Sequence, residues 1–294
     1  MSGPKLWLRQ LPTLISLEIR QVIGGRRLIV IGAALLALCA FAALARLRME
    51  AILPPHIPKV AAWPFLFTTL MGFMFLQTVV LLIPLLFATS LIRNEMDSGT
   101  LVYLVTRPIP RWLLLLAKFF AVSAVSAILV IVAMVLFKLA FFLPGGDPIP
   151  GSFDWNESML AFMRAGVLGV IGYGALFTLV GLLSRRGLIW GIAYGFLSEF
   201  VLATFVPAVV KKLTLMHYLR SVALADLDLL GQLEEPTLQQ AEFVQNMTNV
   251  LELVPPSRAY LTVFGVAVVC LALAVFVVRN LEFARSGPQQ ETEG

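Results

Sequence analysis

Residues Ile92–Lys118 read IRNEMDSGTLVYLVTRPIPRWLLLLAK and stand between two very long apolar runs. The segment is polar, charged and rich in turn formers. An acidic pair (Glu95, Asp97), a Gly99-Thr100-Leu101 step and a Pro108-Ile109-Pro110-Arg111 turn come before the next apolar helix. A plain connection between two membrane helices does not require that order, and the segment reads as a docking surface. The apolar runs on either side of it set the fold class, an all-α membrane protein.

Composition agrees with this reading. Of 294 residues, 59% are hydrophobic and only 13% are charged, and the mean hydropathy is +0.90. Soluble domains carry about 25% charged residues, so the main solvent of this chain is lipid. The net charge of +5 suggests nucleic acid only until the basic residues are mapped. They flank apolar spans and form no stripe, which argues for orientation signals and against a nucleic-acid partner. Cys39 and Cys270 each sit inside an apolar run without metal-ligand spacing, and read as small buried side chains.

Six stretches are long enough to cross a hydrocarbon core of about 30 Å as helices. They lie near Leu28–Ala45, Phe65–Ile92, Trp112–Leu143, Met159–Leu183, Gly187–Pro207 and Ala259–Val278. The second and third exceed the minimum, so projection into the cytoplasm or tilt is expected, and Pro84 is expected to kink the second. No cleavable signal peptide is expected at the start of the sequence.

Counting Lys and Arg orients the spans. One side holds Lys5, Arg9, Arg20, Arg26, Arg27, Arg93, Arg107, Arg111, Arg185, Arg186, Arg279 and Arg285. The other holds Arg46, Arg48, Lys59, Lys211, Lys212, Arg220 and Arg258, four of them in one long loop. Twelve against seven, with the twelve in short segments, places both termini in the cytoplasm of a plasma-membrane protein. The Ile92–Arg111 segment then faces the cytoplasm. Ahead of the first span, Ile15, Ile19, Val22 and Ile23 recur at helical spacing, and Gly24-Gly25 and Arg26-Arg27 follow. Residues 1–27 therefore read as an interfacial amphipathic helix; a generic basic flank is the plainer alternative.

The amphipathic lead, the six spans and the Glu95…Gly99-Thr100-Leu101…Arg107-Pro108-Ile109-Pro110-Arg111…Lys118 pattern resemble the permease subunits of type-2 ATP-binding-cassette exporters. The resemblance covers most of the chain, and its specific part is that one loop. It departs from the family pattern at Pro110, where a small polar residue is usual, which bears on the geometry of the turn. It implies that Glu95, Asp97, Ser98, Gly99, Thr100, Leu101, Arg107, Pro108 and Arg111 form a coupling helix and its exit, seated in a cleft of a partner ATPase. It also implies two copies of that separate P-loop ATPase and a second copy of this or a related permease.

The residues suit such a loop. Glu95 and Asp97 favour a helix N-terminus and offer acceptors to a basic partner surface. Gly99 permits close backbone approach, and the prolines stiffen the exit. The alternative is an ordinary positive-inside loop whose prolines end a helix.

The sequence carries no GxxxxGK[ST] loop, the backbone cradle that holds ATP phosphates. The nearest string, Gly146 to Ser152, lacks the lysine. ATP and Mg are therefore expected in the partner, and no cofactor, metal or catalytic residue is expected in this chain. His56 and His217 stand alone in predicted outer loops and read as solvated or interfacial.

Within the spans, Lys118, Lys138 and Arg164 lie near predicted ends and read as depth anchors that reach the interface. Glu199 sits near the middle of the fifth span, where a carboxylate is expensive. It is expected to be protonated or paired with a polar group such as Gln77 of the second span. Two roles stay open: the translocation path or its gate, and a structural interhelical bond. Gly187, Gly191 and Gly195 repeat at four-residue spacing on the same span, and the fourth span adds Gly166, Gly169, Gly172, Gly174 and Gly181. Close packing between these two helices is the default expectation.

The segment 208–257 is too polar to span. Met216, Leu219, Ala223, Leu227 and Leu230 recur at helical spacing, so short helices capping the outer face are expected, with Lys211-Lys212 at the membrane surface. Residues 286–294 read as a disordered, solvated tail. The expected organisation is an amphipathic lead (1–27), a permease domain (28–285) with coupling loop 92–111, and that tail. The function it implies is export of an unidentified substrate by alternating access. An ATPase-independent secondary transporter or channel using Glu199 is the main alternative, and a membrane-embedded lipid-modifying enzyme a weaker one.

Overall fold

The computed structural model describes residues 27–52, 59–89, 111–147, 153–184, 186–202, 212–225 and 253–284. Among them there are helices and no strands. In chain order these are α1 (Arg27–Ile52), α2 (Lys59–Thr69), a π-helical stretch (Leu70–Phe75) leading into α3 (Leu76–Ala88), and α4 (Arg111–Phe142). They are followed by α5 (Trp155–Leu183), α6 (Gly187–Tyr194) continuing into a second π-helical stretch (Gly195–Leu202), α7 (Leu215–Ala225) and α8 (Pro256–Ala284). The predicted amphipathic helix ahead of Arg27, the coupling segment from Glu95 to Pro108 and the tail lie outside the described residues.

Five of these helical runs are long and apolar enough to cross a membrane: Leu28–Ala51, Ala62–Ala88, Trp112–Phe142, Trp155–Leu183 and Pro256–Asn280. The fifth predicted span, Gly187–Pro207, appears as the shorter apolar helix Gly187–Ser198, and its predicted end at Pro207 lies outside the described residues. α3 runs through Pro84, and a π-helical stretch precedes it in the second span.

Local chemistry sets several boundaries. α5 begins at Trp155 because Asp154 is its N-cap: Oδ1 accepts from the backbone amides of Asn156 (2.8 Å) and Glu157 (3.0 Å). α4 stops at Gly145-Gly146, where Gly146 takes φ +74° and its amide donates to the carbonyl of Phe142 at 2.8 Å. Only glycine adopts that left-handed step without strain.

α5 is the hub, in contact with α3, α4, α6, α7 and α8. Its glycines let each neighbour in. A Cβ at Gly166 would meet Met134 and Val130 of α4; at Gly169, Val80 of α3 and Leu219 of α7; at Gly172, Val263 of α8; and at Gly181, the backbone of Thr89. In lipid, helices associate through such close packing, since apolar surface gains little by leaving apolar solvent. At the Trp155 end an aromatic cluster fills the bundle. Phe67 lies edge-on to Phe141 (5.3 Å) and Trp155 (5.4 Å), and Phe75 meets Phe137 at 4.9 Å. α1, by contrast, is held mainly against α4 and exposes Ile29, Leu36, Phe41 and Leu44, as a lipid-facing or subunit-facing helix does.

Candidate functional site

The short helix α7 does not cap the bundle, contrary to the expectation from its polar loop. Leu215, Met216, Leu219, Val222 and Ala223 are buried, and so are His217, Arg220 and Ser221. A helix buried on all sides belongs inside a protein. Leu219 Cδ1 approaches to 2.7 Å of the point a Cβ would occupy at Gly169, and Gly169 lies halfway along α5, about 21 Å from either end at 1.5 Å per residue. Leu215 comes within 3.9 Å of the equivalent point at Gly172. Along α7 the contacts thus move back along α5, so the two helices are antiparallel and α7 is threaded between spans. Val254 returns the chain, its amide donating to Ser221 Oγ at 3.2 Å.

This insertion carries a cation into the bundle. Arg220 is 5% exposed. Its Nη2 donates to Gln77 Oε1 at 2.6 Å, and its guanidinium carbon lies 4.0 Å from the centroid of the Phe73 ring. Gln77 belongs to α3 and Phe73 to the π-helical stretch just before it. The delocalised guanidinium suits this site: it bonds through its edge and stacks through its face. A π-helical stretch is uncommon and frequent at functional sites, and here one such stretch supplies the stacking partner.

Gln77, one polar group suggested as a partner for Glu199, accepts from Arg220; its pairing with Glu199 falls outside the described residues. Residue 199 lies in the second π-helical stretch, its side chain outside the described part. Glycine spacing fixes the register. A Cβ at Gly191 would meet Leu85 Cδ1 at 2.2 Å, and at Gly195, Leu81 Cδ2 at 2.9 Å. Four residues forward on the fifth span, from Gly191 to Gly195, match four back on the second, from Leu85 to Leu81. α6 packs against α5, with Gly187 on Gly181 and Phe177 beside Gly191, and Gly191 and Gly195 also bring Leu85 and Leu81 of α3 close.

The three expected anchors differ in placement. Lys118 is 3% exposed, so it lies inside the bundle rather than along a lipid-facing surface. Lys138 is half-buried, and its Nζ donates to Asn156 Oδ1 at 2.6 Å beside the Phe142 ring. Arg164 is exposed. Of the coupling residues, Arg111 begins α4; Glu95, Asp97, Ser98, Gly99, Thr100, Leu101, Arg107 and Pro108 lie outside the described residues. His217 is buried, edge-on to Tyr218 at 5.5 Å, which corrects its expected solvated or interfacial place; the burial of α7 is the cause. His56 lies outside the described residues. Cys39 and Cys270 are half-buried free thiols.

Arg46 and Arg220 are the residues that sequence reasoning missed, since both were counted as outer-side charges for orientation. The sequence carried no signal for the burial of Arg220: His217, Arg220 and Ser221 share one face of LMHYLRSVALA, the pattern of a half-solvated helix. Among the described residues no group of three or more His, Cys, Asp or Glu side chains is placed to hold a metal. The centre offers a fixed cation, a carboxamide and an aromatic face, a set suited to binding and positioning.

A family model described as "ABC-2 family transporter protein" matches residues 13–269. No curated protein gave a match.

Proposed function

This chain belongs to the ABC-2 family of transporter proteins, and on that premise we propose that it is the membrane-spanning permease subunit of an ABC exporter driven by a separate ATPase. The observation that carries the proposal is the pairing of a family match spanning most of the chain with a sequence that has no phosphate-binding loop of its own. ATP binding closes a pair of ATPase subunits, and the Glu95–Arg111 segment, seated in them, carries that motion to the spans. Two permease chains, of this kind or of a related kind, enclose the path, and the substrate leaves the cytoplasm or the inner leaflet of the plasma membrane by alternating access. The chain itself performs no ATP chemistry, and Mg and ATP belong to the partner.

Affinity copurification of the detergent-solubilised chain from its native membrane tests this reading. Wild type is expected to bring down a P-loop ATPase, and Glu95→Lys and Gly99→Trp to lose it. Wild type recovered alone across mild detergents, without ATPase activity, overturns it. The second reading, an ATPase-independent transporter, draws support from the buried Arg220–Gln77 pair, since ionisable residues inside spans commonly mark ion or substrate paths. It becomes the leading reading under that second outcome.

A further inference from the structure

We propose that Arg46, Trp63 and the bare turn at Gly145 form a binding site for the headgroup of a zwitterionic phospholipid, its phosphate on the guanidinium and its ammonium among the neighbouring carboxylates. The site stands apart from the exporter reading; only the leaflet it faces, the outer one, rests on the topology proposed above.

The donors come first. Arg46 and Trp63 are 1% and 2% exposed. A guanidinium carries five N–H donors, and Arg46 gives one, from Nη1, to the carbonyl of Phe141. Its buried Nε and the buried Nε1 of Trp63 have no acceptor among the described residues. The guanidinium carbon lies 5.7 Å from the Trp63 ring centroid, so the two orphaned groups are neighbours. Buried donors without acceptors are expensive, above all a cationic one, and this pair calls for an acceptor that carries negative charge. Glu50 and Asp147 attract Arg46 through space, yet neither accepts a hydrogen bond from it among the described residues.

An approach to the cation exists. Gly145 is exposed, and a Cβ there would lie 3.3 Å from Arg46 Nη2. With no side chain on this turn, the edge of the guanidinium lies directly beneath the surface. A phosphate oxygen in the place of the missing Cβ reaches Nη2, and the planar fork of a guanidinium suits phosphate.

The level is that of lipid headgroups. Phe141 and Phe142 end α4, Trp155 begins α5 and Trp63 lies in the first half of α2; tryptophan rings gather where a membrane meets water. Leu44 and Leu47 of α1 and Leu139 and Leu143 at the end of α4 are exposed and offer acyl chains an apolar surface. Charge then selects the headgroup. Lys138 Nζ lies 5.8 Å from the centroid of the same Phe142 ring that Arg46 approaches at 5.9 Å, and it adds attraction for phosphate. Glu50, Asp147, Asp154 and Glu157 are exposed at this end; they repel a purely anionic lipid and attract an ammonium. A headgroup with both charges satisfies both sets, and once seated it clamps the end of α1 to the end of α4.

The test is lipid binding to the full chain, purified in detergent and stripped of bound lipid, read by native mass spectrometry and by thermal melts. Phosphatidylethanolamine is expected to be held tightly and to raise Tm. Phosphatidylglycerol is expected to bind several-fold less tightly, and diacylglycerol and inorganic phosphate to have no effect. Trp63→Phe, which keeps a ring but loses the donor, is expected to weaken phosphatidylethanolamine about tenfold. Gly145→Leu, which fills the approach, is expected to abolish its binding. Gly265→Leu, at a glycine with nothing within 4 Å, is expected to bind as the parent does.

Failure of the parent to hold phosphatidylethanolamine overturns the proposal, as does parent-like binding in Trp63→Phe or in Gly145→Leu. So does equal binding of phosphatidylglycerol, which removes the role of the carboxylates, or of diacylglycerol, which removes that of the phosphate. A rise in Tm with inorganic phosphate alone marks a site for a free anion and overturns the lipid. Should Gly145→Leu fail to accumulate, Trp63→Phe decides: the expected loss supports the site and parent-like binding overturns it. No readout here needs an ATPase, so a failed copurification sinks the exporter reading without touching this one.

Discussion

Arg46 of α1 donates a hydrogen bond from Nη1 to the main-chain carbonyl of Phe141 in the last turn of α4. The last carbonyls of a helix have no partner within it and carry partial negative charge, so a cation from another helix completes the end of α4. The guanidinium is 1% exposed and lies 5.4 to 5.9 Å from the ring centroids of Trp63, Phe141 and Phe142. It ties α1 to α4 by a polar bond among apolar contacts.

Replacing Arg46 should therefore loosen α1. Arg46→Ala is expected to cost about 2–3 kcal/mol, the loss of a buried charged donor with a carbonyl left unsatisfied, read as a fall in Tm of about 5–10 °C in detergent. Arg46→Lys is expected to recover only part of this, because an ammonium lacks the planar fork and the stacking face. A fully restored Tm in Arg46→Lys would show that charge alone matters at this site.

The glycines rank by what stands opposite them. Gly181→Ala places a methyl 2.7 Å from the backbone oxygen of Thr89, which cannot step aside, and should destabilise by about 1–3 kcal/mol. Gly195→Ala meets only the end of Leu81 at 2.9 Å and should cost less, since a leucine tip can turn. Gly32 and Gly265 have nothing within 4 Å, and alanine there should be neutral or stabilising by up to about 1 kcal/mol. Thermal melts of the four variants in one detergent test the order.

Asp154 caps α5 through two backbone amides at 2.8 and 3.0 Å. Asp154→Ala should cost about 1 kcal/mol, and Asp154→Asn or Asp154→Ser should preserve most of the cap. Because α5 is the hub, the loss should appear in the global melt. A change confined to proteolysis of the 143–153 connection would show that the cap acts only locally.

The proposed topology predicts opposite labelling of two engineered thiols in a background without Cys39 and Cys270. Ser257→Cys, exposed at the start of α8, should react with an impermeant maleimide in intact cells. Ser98→Cys should react only after the membrane is opened. Reversed labelling would invert the orientation derived from the positive charges and move the proposed coupling segment away from any cytoplasmic ATPase.

Much of the fold was legible because it is local. Apolar runs of helical length follow from residues within a turn or two of one another. The Asp154 cap is equally local, yet the apolar pattern alone began the fourth span at Met159, four residues after the cap starts it. Even α7 announced its buried positions Met216, Leu219 and Ala223 by their spacing. What the spacing did not carry was depth. Polar flanks made this helix read as a surface cap, and only its fit against Gly169 and Gly172 places it between the spans.

Sequence alone determined that this is a helical membrane protein with a polar, proline-stiffened segment between its second and third spans, and that its glycines permit close helix contacts. Tertiary structure decided which contacts those are. It added Leu85 and Leu81 of the second span to the contacts of Gly191 and Gly195, and it paired Arg220 with Gln77 across 143 residues. The reason is physical. Helix formation depends on neighbours three and four residues away, whereas the choice of partner depends on how two finished surfaces fit, and a glycine gap or a lone arginine names no partner until the helices meet.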